Sequence, residues 1–212
     1  ITLLDTPGHV DFSAETERTL QVLDCAVLVV SGSDGVQGHT LTLWRLLRQR
    51  HIPTFLFVNK MDLPGCGRTA LLAELRERLS ENCVDFSGDQ DPDTLAENAA
   101  LCDEDALARF LDQGTLDGGA IADLIRREAL FPCLFGSALR LEGVDTLLQR
   151  LERLAPRPQY PADFGAQVYQ IARDPQGARL TYLKVTGGIL RVKMPLKAPD
   201  GTWAEKIDQI RT

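Results

Sequence analysis

The sequence contains no run of 18 or more apolar residues, which excludes a helical membrane span. It opens on no charged-then-apolar leader, so nothing in it points to secretion. It has no Cys-x-x-Cys pair. Its five cysteines, Cys25, Cys66, Cys83, Cys102 and Cys133, are odd in number and widely scattered. That argues against zinc or thioredoxin-like chemistry and for the reduced thiols of a cytoplasmic protein. It has no basic excess: 23 Lys and Arg stand against 30 Asp and Glu, a net charge of −7. This excludes a chain whose whole surface binds nucleic acid, DNA included, while leaving room for one local contact. No glycine is followed by lysine, so the phosphate-cradling G-x-x-x-x-G-K-[ST] loop is missing. There is no internal repeat and no low-complexity tract.

What remains is an ordinary globular composition, 44% hydrophobic and 25% charged over 212 residues. A chain of that size buries roughly 70% of its unfolded surface, enough for a real core. Residue 1 is isoleucine and starts an apolar run, and the sequence stops at Thr212 inside a strand-like segment. The expectation is an internal piece of a longer protein.

Apolar runs at 1–4, 25–30, 54–58 and 130–135 read as buried strands. Between them, 13–24, 40–50, 70–79 and 144–154 carry leucines at helical spacing. Two weaker helical patterns lie at 105–111 and 120–127. The segment 85–105 is acidic and weakly apolar and reads as solvated, within an insertion at 82–128. Alternating strands and helices predict an α/β fold with a mostly parallel sheet. The Pro-rich stretch Ala155-Pro156-Arg157-Pro158-Gln159-Tyr160-Pro161 predicts a stiff linker over 155–164. Beyond it, short β-rich runs at 166–172, 180–186, 189–194 and 203–210 are separated by turns. They predict the start of an all-β barrel. The expected organisation is thus a domain at 1–154, the linker, and a partial barrel at 165–212.

Three constellations carry chemistry, each directly after a predicted strand. In Asp5-Thr6-Pro7-Gly8-His9, a carboxylate can hold a water of a Mg²⁺ ion. Gly8 can bring its amide close to a phosphate, and His9 can orient a water toward a phosphoryl group. In Asn59-Lys60-Met61-Asp62, the Asp62 carboxylate can accept from both N1–H and the 2-amino group of guanine. Adenine cannot offer that pair. The Lys60 stem can lie on the purine face, and the Asn59 amide can tie neighbouring loops. In Gly136-Ser137-Ala138-Leu139, backbone amides can reach the guanine oxygen. Open α/β sheets bind ligands at the carboxyl ends of their strands, so the three together read as a GTPase domain.

Asp5-Thr6-Pro7-Gly8-His9-Val10-Asp11-Phe12 resembles the switch II motif of elongation factor G and its relatives, the translational GTPases. Arg18-Thr19-Leu20-Gln21-Val22-Leu23-Asp24 and Asp34-Gly35-Val36-Gln37 are similar to the same family. Gly136-Ser137-Ala138 with Gly143-Val144-Asp145 resembles its last guanine-contacting loop. Val168-Tyr169-Gln170-Ile171 and Gly187-Gly188-Ile189-Leu190 resemble its second domain. Ile52-Pro53-Thr54 and the region 63–81 look most like tetracycline-resistance ribosomal protection proteins.

The resemblance implies a P-loop-type GTPase fold, lacking here its first strand, phosphate loop and switch I, followed by a translation-factor barrel. It implies GTP or GDP with Mg²⁺ as ligands, with Asp5 ordering the metal's water shell, Gly8 sensing the γ-phosphate and His9 positioning the hydrolytic water. It implies that Asn59, Lys60 and Asp62, with Met61 between them, read guanine, assisted by Ser137, Ala138 and Leu139. Leu139 stands where many such enzymes carry lysine. It implies a monomer in the cytoplasm whose partner is the bacterial ribosome, its RNA and proteins near the factor-binding site. Without its central first strand and phosphate loop, this stretch alone is expected to bind GTP poorly.

The alternative from another class is a ribosome-associated module that kept the motifs and does not hydrolyse. Asp89-Gln90-Asp91-Pro92-Asp93 starts like a calcium loop, yet Thr94 and Ala100 stand where Gly and Glu are needed. His39 and His51 read as exposed or loop histidines, and Trp44 as core. Lys184, Arg191, Lys193 and Lys197 form either a face for ribosomal RNA or a solvated strand face.

Overall fold

The computed structural model describes residues 2–6, 18–88, 91–197, 201–202 and 204–211. Leu23–Arg157 belongs to one compact unit. Residues 2–6, 18–22 and the described part of Pro158–Thr212 belong to another.

In the first unit, four parallel strands line up. These are β1 (Ala26–Ser31), β2 (Thr54–Asn59), β3 (Cys83–Asp85) and β4 (Phe131–Phe135), in the spatial order β1-β2-β4-β3. The register runs Val30 with Val58 and Val58 with Phe135. Parallel neighbours need long crossovers, and helices supply them. α1 (Gly38–Gln49) links β1 to β2, and α2 (Arg68–Arg78) links β2 to β3. Three helices separate β3 from β4: α3 (Pro92–Ala100), α4 (Glu104–Gln113) and α5 (Gly118–Arg126). α6 (Val144–Leu154) follows β4.

Every residue of β4, and all of β2 but Asn59, is buried. That is the burial a strand covered on both faces requires. Trp44 is buried as expected. Its ring meets Phe131 edge-on with centroids 4.8 Å apart, and its indole N–H donates to the Leu79 carbonyl at 3.1 Å. The Arg48 guanidinium lies 5.0 Å from the centre of the same Phe131 ring.

Several expectations are corrected. Residues 2–6 are not a buried strand. They have no regular structure and Leu3 is 84% exposed. An apolar run becomes strand only where a neighbour offers it a hydrogen-bonding edge, and no described strand pairs with 2–6. β1 is an edge strand among the described residues. Leu28 and Val30 face the core while Val29 is 57% exposed, so it is covered on one face only. The helix expected at 13–24 is described only from residue 18, where 18–20 are helical.

The insertion is not a solvated acidic stretch. β3 runs through its start, and Leu95, Ala96, Ala99 and Ala100 of α3 are buried in the core. The acidic residues have structural work. Asp91, Asp103 and Asp117 each cap a helix, accepting from the amides of Thr94, Ala106 and Ala120 at 3.3, 3.0 and 2.7 Å. Such caps satisfy amides that the first helical turn leaves unbonded. Asp85 is buried and paired with Arg68, Nε to Oδ2 at 2.5 Å, while its other oxygen accepts from the Ser87 amide. Low hydropathy hid the core contribution, because alanine packs closely while adding little apolar signal. His39 is half-buried in the first turn of α1. His51 is exposed beside the Glu128 carboxylate, 3.1 Å away.

In the second unit, β5 (Gly165–Arg173) and β6 (Arg179–Gly187) form an antiparallel pair. β7 (Pro195–Lys197) pairs with β8 (Ala204–Lys206). The run 189–194 is not a strand; it turns instead, with Lys193 at φ 64°. Lys184 is not a solvated strand lysine. Its ammonium donates to the Val22 carbonyl at 2.8 Å and sits 5.8 Å from the centre of the Tyr160 ring. Arg191, Lys193 and Lys197 are exposed. Among the described residues no helix is long and apolar enough to cross a membrane.

Candidate functional site

β2 and β4 are adjacent and parallel, so the loops that follow them emerge side by side at the same sheet edge. Their ladder continues past the strands. The Gly136 amide donates to the Val58 carbonyl at 2.9 Å, and the Met61 amide to the Gly136 carbonyl at 3.0 Å. Residues 59–62 and 136–139, far apart in sequence, become neighbours.

The β2 loop turns on Lys60, a non-glycine residue at φ 65°. That backbone state costs about 1–2 kcal/mol for a residue with a side chain. Asn59 offsets it. Its Oδ1 accepts from the Lys60 amide at 2.8 Å and from the Ala138 amide at 2.8 Å. One amide oxygen thus holds the strained turn and joins the two loops. Lys60 itself points its exposed side chain to solvent.

The β4 loop is closed by reciprocal bonds. The Ser137 amide donates to the Glu142 carbonyl at 2.9 Å, and the Glu142 amide to the Ser137 carbonyl at 3.0 Å. Two glycines permit this closure. A Cβ on Gly136 would collide with the Glu142 carbonyl oxygen. Gly143 sits at φ 75°, where a Cβ would lie 2.5 Å from the Phe135 carbonyl oxygen.

Asp62 stands between the loops with its side chain only 10% exposed. The fully buried Ser137 donates its hydroxyl to the carboxylate, and this bond chiefly holds Asp62 below the usual carboxylate range. The partial loss of solvent pushes the other way. The Arg140 guanidinium, with Nε 3.6 Å from Oδ2, adds to the lowering. Asp62 is therefore an ionised acceptor at neutral pH. Leu139 is 88% exposed at the tip of the β4 loop. Its amide has no acceptor among the described residues. A carboxylate acceptor on one loop and a free amide donor on the neighbouring loop are the groups that a planar ligand edge with donors and a carbonyl would need.

The structure thus brings together Asn59, Lys60, Met61, Asp62, Ser137, Ala138 and Leu139. Asp5 and Thr6 belong to the other unit. Asp5 is exposed, a hard oxygen donor of the type Mg²⁺ takes through water. Pro7, Gly8 and His9 lie outside the described residues. Among the described residues no three His, Cys, Asp or Glu side chains gather as a metal site.

Reading the sequence missed three residues here. The Gly32 amide donates to the Asn59 carbonyl at 2.7 Å, and a Cβ there would press on that oxygen and on the Met61 sulfur, both at 3.0 Å. The Cys66 thiol reaches the Lys60 carbonyl at 3.6 Å. Arg140 faces Asp62. For Gly32 a signal existed, a glycine at the carboxyl end of a predicted parallel strand. For the other two none did.

Residues 1–157 match the family model described as the elongation factor Tu GTP binding domain. The oxytetracycline resistance protein of Streptomyces rimosus is 36% identical over 90% of this chain and 33% of its own length. The tetracycline resistance protein TetP of Clostridium perfringens is 30% identical over 99% of this chain and 36% of its own. The tetracycline resistance protein TetM from transposon Tn916 of Enterococcus faecalis is 30% identical over 91% and 33%. The chain therefore spans about a third of the length of these curated relatives. A crystal structure of a Thermus thermophilus protein superposes over 97% of this chain and 38% of that one, with a TM-score of 0.79 at 23% identity. That likeness speaks for the fold.

Proposed function

The chain belongs to the elongation factor Tu GTP-binding-domain family, and from that membership we propose that it reads guanine with the paired loops 59–62 and 136–139. We propose further that it serves a ribosome-dependent GTPase of the elongation factor G-like or ribosomal protection type. One observation carries the first part. Asn59 Oδ1 binds amides of both loops, which supports reading the ionised Asp62 of one loop and the unbonded Leu139 amide of the other as parts of one base edge. Asp62 accepts from N1–H and the 2-amino group of the base, and the Leu139 amide donates to its carbonyl oxygen. An adenine edge mismatches both. Hydrogen bonds to a charged acceptor are worth about 1.5–3 kcal/mol each, which suffices for strong discrimination.

The rest of the reading follows the family and the relatives' names. Asp5 would hold Mg²⁺ through water, and the ion would supply charge neutralisation on the phosphate oxygens. His9 orients the water that attacks the γ-phosphoryl group in line, and catalysis is positioning plus preorganised charge. The partner is the bacterial ribosome, the setting is the cytoplasm, and the protein acts as a monomer. The oxytetracycline and tetracycline resistance relatives favour a ribosomal protection task.

The test is base preference in the full-length protein. Asp62→Asn replaces one acceptor oxygen with an amide donor and suits xanthine, which carries a carbonyl in place of the 2-amino group. The expected result is a GDP affinity lower by at least roughly tenfold, the weight of one charge-assisted bond, with a gain for xanthosine diphosphate. An unchanged preference overturns the assignment of Asp62.

A further inference from the structure

Arg140 holds a place that the guanine reading does not use. It stands at the tip of the turn 137–142, whose base is closed by the two Ser137–Glu142 bonds. Its amide donates to Ser137 Oγ at 3.3 Å, and that same hydroxyl donates to Asp62. Its side chain then reaches back so that Nε lies 3.6 Å from Asp62 Oδ2. Backbone and side chain of one residue therefore both engage the Ser137–Asp62 pair, while Asn59 ties the two loops together.

A carboxylate offers about four lone-pair sites. Ser137 and the backbone amide of Asp62 each bind the carboxylate, and Arg140 faces one of its oxygens, so the direction in which its remaining acceptor capacity points matters. We infer that Arg140 is a positioning residue for base recognition, setting the plane of the Asp62 carboxylate so that its oxygens meet both donors of the guanine edge. The inference rests on the guanine reading above. The carboxylate torsion is broad and weakly restrained by itself. Without Arg140 it is held only by Ser137 and its own backbone amide, and a less restrained carboxylate keeps one good hydrogen bond to a ligand more easily than two. The loss falls on the second bond, to the 2-amino group, and so on discrimination rather than on overall nucleotide affinity. A lysine restores the charge without the planar fork, so it restores the effect in part.

The experiment compares GDP with inosine diphosphate, which lacks the 2-amino group, on the full-length protein and its R140A and R140K variants. Contacts to phosphate and ribose cancel in the ratio of the two affinities. The wild type prefers GDP. R140A lowers that preference by roughly threefold to tenfold, a fraction of one charge-assisted bond, with the inosine nucleotide bound about as before. R140K falls between. A role confined to loop stability would weaken both nucleotides equally and leave the ratio alone, and that result overturns the inference. If R140A does not fold, R140Q keeps the side-chain length without the charge, and an unchanged ratio there overturns it equally. A wild type that prefers GDP to ADP while R140A keeps its ratio removes Arg140 only. A wild type with no preference for GDP over ADP removes the guanine reading, and this inference with it.

Discussion

Ser137 has no solvent exposure and yet serves two partners, donating to Asp62 and accepting from the Arg140 amide. The pH behaviour of the base site follows from it. Asp62 is held below its ordinary value, so the favourable interaction of its charged form is fully present above the unfolded carboxyl value, about 3.9. It is lost as pH falls through the lower folded value. On the proposed base reading, guanine affinity is therefore expected to hold down through the ordinary carboxyl value and to decline only below it. In Ser137→Ala, the main cause of the lowering is gone, and the decline starts at higher pH. Fluorescent GDP titrations across roughly pH 3.5–7, a range that brackets the ordinary carboxyl value, read this, and coincident curves for the two proteins would contradict it. On the same proposed function, His9→Ala in the full-length protein is expected to slow ribosome-stimulated hydrolysis by roughly 10²–10⁴-fold while sparing nucleotide affinity. An unchanged turnover rate counts against the role given to His9.

The elements depend on residues whose composition reads as polar. Asp103 caps α4 through the Ala106 amide, and that bond chiefly holds its carboxyl below the usual range. Arg127 adds an ion pair at 3.3 Å. Asp103→Ala is expected to cost about 1 kcal/mol, seen as a lower urea midpoint with an unchanged slope. Phe131 begins β4 and carries both the Trp44 edge and the Arg48 guanidinium. Phe131→Ala is expected to cost about 3–5 kcal/mol, several times the loss of a cap, in the same urea experiment. The strands β1, β2 and β4 and the helices α1, α2 and α6 were legible because their apolar residues repeat at strand or helix spacing. β3 and α3 were not. Three residues are too few for a period, and the buried face of α3 is mostly alanine. The capping carboxylates made the same segment look solvated.

For the whole molecule, the described residues form two compact units, and the paired loops 59–62 and 136–139 lie in Leu23–Arg157. The 212-residue chain has no Gly-Lys pair, so it lacks the loop that in this enzyme class cradles the β- and γ-phosphates. Taken alone it is expected to bind fluorescent GDP more weakly than about 1 μM, since base contacts of a few kcal/mol do not reach that affinity unaided. Sub-micromolar binding by the isolated chain would sink that expectation.

By itself the sequence determined the α/β order, the strand-end position of Asn59-Lys60-Met61-Asp62 and Gly136-Ser137-Ala138, and the residue types those sites need. Periodicity and turn chemistry are local, and local signals survive in one dimension. The tertiary structure alone decided that β2 neighbours β4 rather than β3, that Asn59 binds the Ala138 amide, and that Arg140 faces Asp62. Strand order is set by which arrangement buries both faces of β2 and β4, a property of the packed whole. A hydrogen bond across 79 residues leaves no period to read.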